Sequence, residues 1–190
     1  MNNNMQKLTL SAMFMAIGMV LPFLTGQIPK IGGLLLPMHI PVLLCGLICG
    51  WKYGAATGFI LPLFRSLILG APAFFPKAAA MAFELAAYGA VSGILYERSK
   101  RQCIASLYFS LICAMLSGRL VWGAAQIMLL GISGSSFTWE MFTAGAFFNA
   151  IPGIIVQLIL IPSVMVVLDR TGYVKFNADS SEKPACYEEN

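Results

Sequence analysis

The chain has 190 residues, 58% of them hydrophobic and 11% charged, with a formal net charge of +4. That apolar share exceeds what a soluble domain of this size buries, so the composition excludes an ordinary water-soluble protein and indicates an integral membrane protein. The basic residues are scattered along the chain, which gives no support for nucleic-acid binding.

Leu8 to Leu24, after a short polar leader, is the first apolar run. No A-x-A-like cleavage site follows before Gln27, so it reads as a retained span. Ala12 and Ala16 lie four apart with Gly18 nearby, a small-residue face on which another helix can pack closely. Thr25 to Gly33 carries loop residues. The second apolar segment, Leu34 to Gly50, contains Pro37 and Pro41, which predict a kinked or late-starting helix. His39 between them reads as a packed residue, because no partner spacing suggests a metal site.

Trp51-Lys52-Tyr53 reads as a tight interfacial turn, and a third span runs from Gly54 to Gly70 with Arg65 in its second half. Ala71 to Pro76, with two prolines and two phenylalanines, is a short loop or lid. The fourth span, Lys77 to Tyr96, carries Glu84 with Tyr88 one turn later on the same face. A charged loop, Glu97 to Arg101, leads to the fifth span. Ile104 to Leu130 gives about 40 Å of helix, enough to cross a bilayer with tilt. It carries Arg119 near its middle, where an arginine costs about 2.5–3.5 kcal/mol on insertion scales and must face protein or a wet cavity. Trp122, Gly123 and Gln126 share the face of Arg119. After a Gly/Ser loop, Trp139 and Glu140 open a sixth span that runs to Leu168, with Gly145, Asn149, Gly153 and Gln157 along one stripe.

The expected fold is therefore an all-α membrane protein, a six-transmembrane-helix bundle over residues 1–176, followed by a polar, disordered tail over 177–190. Lys7, Lys52, Arg98, Lys100, Arg101, Arg170, Lys175 and Lys183 fall on the side of the two termini, against Lys30 and Lys77 opposite. By the positive-inside rule both ends are cytoplasmic.

With that orientation, Arg65, Glu84, Gln126 and Asn149 fall in the outer half of the bundle and Arg119 nearer the midplane. Buried polar groups need partners, so this clustering predicts an outward-facing small-molecule site. The candidate substrate-binding residues are Arg65, Glu84, Tyr88, Arg119, Trp122, Gln126 and Asn149. Trp122, Tyr88, Phe75 and Trp139 offer ring surfaces or serve as anchors and core. Arg65 and Glu84 read equally as a structural pair, and Gln126 and Asn149 as interhelical hydrogen bonds. One glutamate cannot neutralise two arginines, so Arg119 is expected to meet an anionic or strongly hydrogen-bonding group.

The five cysteines, Cys45, Cys49, Cys103, Cys113 and Cys186, form no CxxC pair and no metal-ligand spacing. No nucleotide-binding, metalloprotease or nucleophile-elbow motif occurs, so no catalytic residue, cofactor or metal is expected. Energy for uphill transport would come from a gradient or another polypeptide.

Ala12-Met13-Phe14-Met15-Ala16 on the first helix, the segment Pro37 to Gly46, the stretch Gly50 to Gly58 and the six-span topology resemble the substrate-binding S components of energy-coupling factor (ECF) vitamin transporters. The resemblance covers the chain to about Lys175. It implies capture of a vitamin or precursor near the external face by helices four to six and capping loops. It also implies docking of the Ala12/Ala16 surface on a shared membrane scaffold subunit, with two cytoplasmic ATPases driving toppling and inward release in a bacterial cytoplasmic membrane. Thr25 to Leu36 and Ala71 to Pro76 become candidate lids. A carboxylate-bearing substrate such as pantothenate is favoured if Arg65 is paired and Arg119 free; a riboflavin-like, pyridoxine-like or queuosine-precursor ligand also suits Glu84 and the amides. The competing readings are a stand-alone secondary carrier, for which no inverted repeat is visible, and an intramembrane enzyme using Glu84 as base and Arg119 as electrostatic stabiliser.

Overall fold

The computed structural model describes residues 3–24, 37–70, 72–99, 104–132 and 151–170. Among them are six α-helices: α1 (Asn3–Leu24), α2 (His39–Cys49), α3 (Trp51–Leu69), α4 (Ala79–Arg98), α5 (Ile104–Ile132) and α6 (Ile151–Arg170). An irregular turn, Phe74–Ala78, leads directly into α4, with Phe75 extended. Among the described residues, four stretches are long and apolar enough to cross a membrane: Asn4–Phe23, Phe74–Arg98, Ile104–Gly131 and Ile151–Asp169. The regular structure among the described residues is thus all helical, with spans that suit a membrane protein. The expected opening of the last span at Trp139 and the tail over 177–190 lie outside the described residues.

The helix at the centre is the shortest. Eleven residues of α2 rise only about 16 Å, about half of a ~30 Å hydrocarbon layer. It begins at His39, which leaves Pro41 in the first turn, where a missing N–H costs least. Every residue from His39 to Leu47 is buried, because α1, α3, α4 and α6 pack around it. Protein rather than lipid therefore meets its ends, and a helix too short to span is tolerated. Leu43, Leu44 and Leu47 of α2 join Leu107 and Leu111 of α5 and Ile161 of α6 in one core.

Between α2 and α3 the reversal takes one residue. Gly50 has φ 97, donates its N–H to the Gly46 carbonyl at 3.1 Å and accepts from the Gly54 N–H at 3.0 Å. The sequence reading put the turn at Trp51 to Tyr53; those residues instead open α3, since the positive φ needed for the corner is supplied by glycine. The corner lays α2 and α3 side by side, with Cys45 Sγ and Thr57 Oγ1 3.5 Å apart between them.

A seam of glycines then fixes α2, α3 and α4 together. A Cβ on Gly46 would lie 2.5 Å from the Gly89 carbonyl oxygen, and one on Gly93 would lie 2.6 Å from the Trp51 backbone. Side chains at Gly58 and Gly89 would strike the backbones of Leu85 and Gly54. Gly54/Gly58 and Gly89/Gly93 are each four apart, so two small-residue stripes face each other and the backbones close together. The interface of α3 with α4 is accordingly the most extensive in the structure.

The two faces of α1 have different neighbours. Ser11, Phe14, Gly18 and Pro22 are buried, and a Cβ on Gly18 would lie 2.6 Å from the Leu61 side chain of α3. Ala12 and Ala16 are exposed, beside Met13, Ile17 and Val20. Gly18 therefore does not extend the Ala12/Ala16 face as the sequence reading grouped it; six residues at 100° each carry it to the far side of the helix.

Gly89→Ala is expected to destabilise the detergent-solubilised protein by about 1–3 kcal/mol, the cost of overpacking. Gly131→Ala should be neutral or stabilising by up to about 1 kcal/mol, since among the described residues nothing lies within 4 Å of a Cβ there. Thermal unfolding of the two variants beside the parent protein measures the contrast.

Candidate functional site

Buried charge gathers at the end of the bundle where α2 begins. Arg65 lies 14 residues from the start of α3, Glu84 14 residues before the end of α4 and Arg119 15 residues from the start of α5. At 1.5 Å per residue this places all three about 21–22 Å from the end that carries Lys52 and Arg98. That level is past the middle of a ~30 Å layer.

Glu84 is 2% exposed. Its Oε1 lies 2.9 Å from Arg119 Nη1 and 3.6 Å from His39 Nε2. The arginine contact has ion-pair distance without hydrogen-bond alignment, since Oε1 accepts no aligned bond. The His39 ring packs edge-on against Tyr88, with centroids 5.0 Å apart. Tyr88, one turn along α4 from Glu84, is in electrostatic reach of both Glu84 and Arg119. Its ring fills the space beside Gly118, where a Cβ would lie 2.8 Å from the ring. The glycine preceding Arg119 thus admits the ring that packs under the ion pair.

Arg65 meets the residue just before α2. Its Nη1 donates to Met38 Sδ at 3.3 Å, while its Nε is buried without a partner. A thioether is a weak acceptor and carries no charge to balance a guanidinium. Among the described residues no carboxylate pairs with it. Of the two open readings of Glu84, the structure has it paired with Arg119 and not with Arg65, so the condition under which a carboxylate-bearing substrate was favoured, a paired Arg65 and a free Arg119, is not met. Helical spacing fixes which side of its own helix a residue occupies, but the rotation of α3 against α4 is set by the glycine seam, and that rotation turns Arg65 toward Met38.

Around this pairing, several donors and acceptors are left over. Arg119 Nε and Nη2, both nitrogens of His39 and Gln126 Oε1 are buried without aligned hydrogen bonds. Gln126 is 8% exposed and follows Arg119 by two helical turns, on the same face. Trp122 is half-buried beside them. Tyr88 is 1% exposed, so its ring belongs to the core rather than to an open platform. Phe75 is 48% exposed near the start of α4. Asn149 and Trp139 lie outside the described residues. Gln157 is buried in α6 with Nε2 unpartnered.

The residue that sequence reasoning passed over is His39. The signal was available: in an inward-running second span it falls at the depth of Glu84, by the same count that grouped the other residues. Among the described residues, no set of three or more His, Cys, Asp or Glu is placed to hold a metal ion. What the cluster can do is offer hydrogen-bond donors and positive charge to a small molecule in a low-dielectric setting.

Glu84→Gln leaves two buried arginines facing no carboxylate. It should cost about 3–5 kcal/mol of stability, as expected for breaking a buried pair from one side. The double variant Glu84→Gln/Arg119→Gln should recover part of that loss, read from thermal unfolding in detergent.

The model of a family described as "ECF transporter, substrate-specific component" matches residues 6–165. No curated protein and no solved structure gives a significant match. The matched span takes in most of α1, all of α2 to α5, most of α6 and every residue of the buried charge cluster, and the four long apolar helices suit a membrane transport protein. The chain belongs to the ECF transporter substrate-specific components, the subunits that bind the transported substrate.

Proposed function

We propose that the protein captures a vitamin-like small molecule or precursor from the outer side of a bacterial cytoplasmic membrane. It would cross the membrane six times, with both ends cytoplasmic, and hand its ligand to a scaffold subunit driven by two ATPases. The observation that carries this reading is the polar cluster itself: α2, α3, α4 and α5 each bring a buried polar or charged side chain to one level, and donors there lack partners. A folded protein leaves few such groups unsatisfied unless a ligand meets them. Arg119, Gln126 and Trp122 on α5 would form one wall, Glu84 would hold Arg119 in place, and Asn149 would contribute from the last span. Phe74 and Phe75, exposed ahead of α4, would form part of a lid, tied to α3 by the 2.7 Å bond from Ser66 Oγ to the Pro72 carbonyl.

On α1, exposure of Ala12 and Ala16 supports the docking role. Two alanines four apart leave a shallow groove into which a partner helix of the scaffold fits, while the opposite face of α1 is occupied by α2 and α3.

Mass spectrometry of the protein purified from cells and then denatured should release a small polar metabolite; phospholipid as the sole released species would overturn the capture reading. Ala12→Trp and Ala16→Trp should abolish uptake in cells that also make the scaffold and ATPases, with ligand binding by the isolated protein unchanged. Lost binding in a folded variant would instead place that surface within the ligand site.

A further inference from the structure

The two buried arginines differ in what they lack. Arg119 has its charge met by Glu84 at Nη1, yet its Nε and Nη2 are buried without acceptors. Those two nitrogens form one edge of the planar guanidinium, the edge that grips a two-point acceptor. An anion on that edge would lie across the same guanidinium from the Glu84 carboxylate, and like charges so close in a poorly screened site repel. Arg65 is the reverse case. It is 9% exposed, its Nη1 donates to the Met38 sulfur, and among the described residues no carboxylate balances it. Met38 and His39 are adjacent in the chain, so the Arg65 and Glu84–Arg119 ends are joined through one step of backbone. The formal charges of Arg65, Arg119 and Glu84, among the described residues at this level, sum to one net positive.

From this difference we infer that the substrate is a monoanion whose acid group is taken by Arg65, while a neutral acceptor elsewhere on the same molecule, a carbonyl or hydroxyl, docks on the Nε/Nη2 edge of Arg119. The ligand replaces the Met38 sulfur as the acceptor for Arg65. This assignment rests on the capture reading above and names the substrate class within it.

The test uses the full chain in detergent and three acid/neutral pairs as probes: pantothenate with panthenol, nicotinate with nicotinamide, and biotin with biotinamide. At least one acid should bind the parent protein at least about tenfold tighter than its neutral partner, the scale of one charge-assisted contact. Arg65→Gln should shrink that gap to about threefold or less, and Arg65→Lys, which keeps the charge, should retain most of it. Arg119→Gln should weaken acid and neutral members by the same factor. A gap that survives in folded Arg65→Gln protein, or one that closes in Arg119→Gln instead, overturns the assignment. Mass spectrometry of the retained ligand separates the two levels. A vitamin-like molecule with no ionised acid overturns the assignment alone and leaves capture standing. Retention of phospholipid only, with none of the six probes bound, overturns both.

Discussion

One carboxylate in a setting poor in water constrains everything at its end of the bundle. Glu84 has no solvent to screen it, so the side chains that approach it must supply the compensating charge and donors. Arg119 does so from α5 and His39 stands by from α2. Tyr88, on the same face of α4, packs beneath them against Gly118. Three helices are thereby bound to a single oxygen, and α3 is left to present Arg65 to a neutral sulfur. The asymmetry between the two arginines follows from there being, among the described residues, one acid and two arginines at this level.

Such an arrangement needs helix backbones closer than ordinary side chains allow. Gly46, Gly54, Gly58, Gly89 and Gly93 remove the side chains along the α2–α3–α4 seam, and the one-residue corner at Gly50 holds α2 against α3. In a bilayer this packing is favoured by dispersion contacts rather than by expulsion of water, so close approach is itself the source of cohesion. The seam also fixes the rotation of α3 and α4, which decides where Arg65 and Glu84 point.

What the sequence made legible depends mostly on one helix at a time. Apolar runs of spanning length, the burial of Arg119 within a long apolar helix, and the shared face of Glu84 and Tyr88 follow from rise and periodicity. What it hid depends on two helices at once. The choice of Arg119 over Arg65 as the partner of Glu84 is an interhelical rotation, and no pattern within α3 or α4 encodes it. His39 was judged on its chemistry alone rather than on its level. Gly18 was grouped with Ala12 and Ala16 by nearness in sequence, although the helical turn separates them. Asn149 was read from a segment outside the described residues.

The shortness of α2 has a consequence for discrimination. With its end at Gly50 two residues from Lys52, the helix starts about 16 Å from that end and Arg65 lies about 21 Å from it, so under the proposed capture role a solute reaching His39 would have crossed roughly half of the apolar layer and one reaching Arg65 about a third. At such a depth each acceptor left without a donor forfeits a hydrogen bond that no water replaces, and a site built to bond specific polar groups rejects analogues lacking them by about 10⁴–10⁵. Selectivity among close chemical relatives is then a property of where the central helix stops.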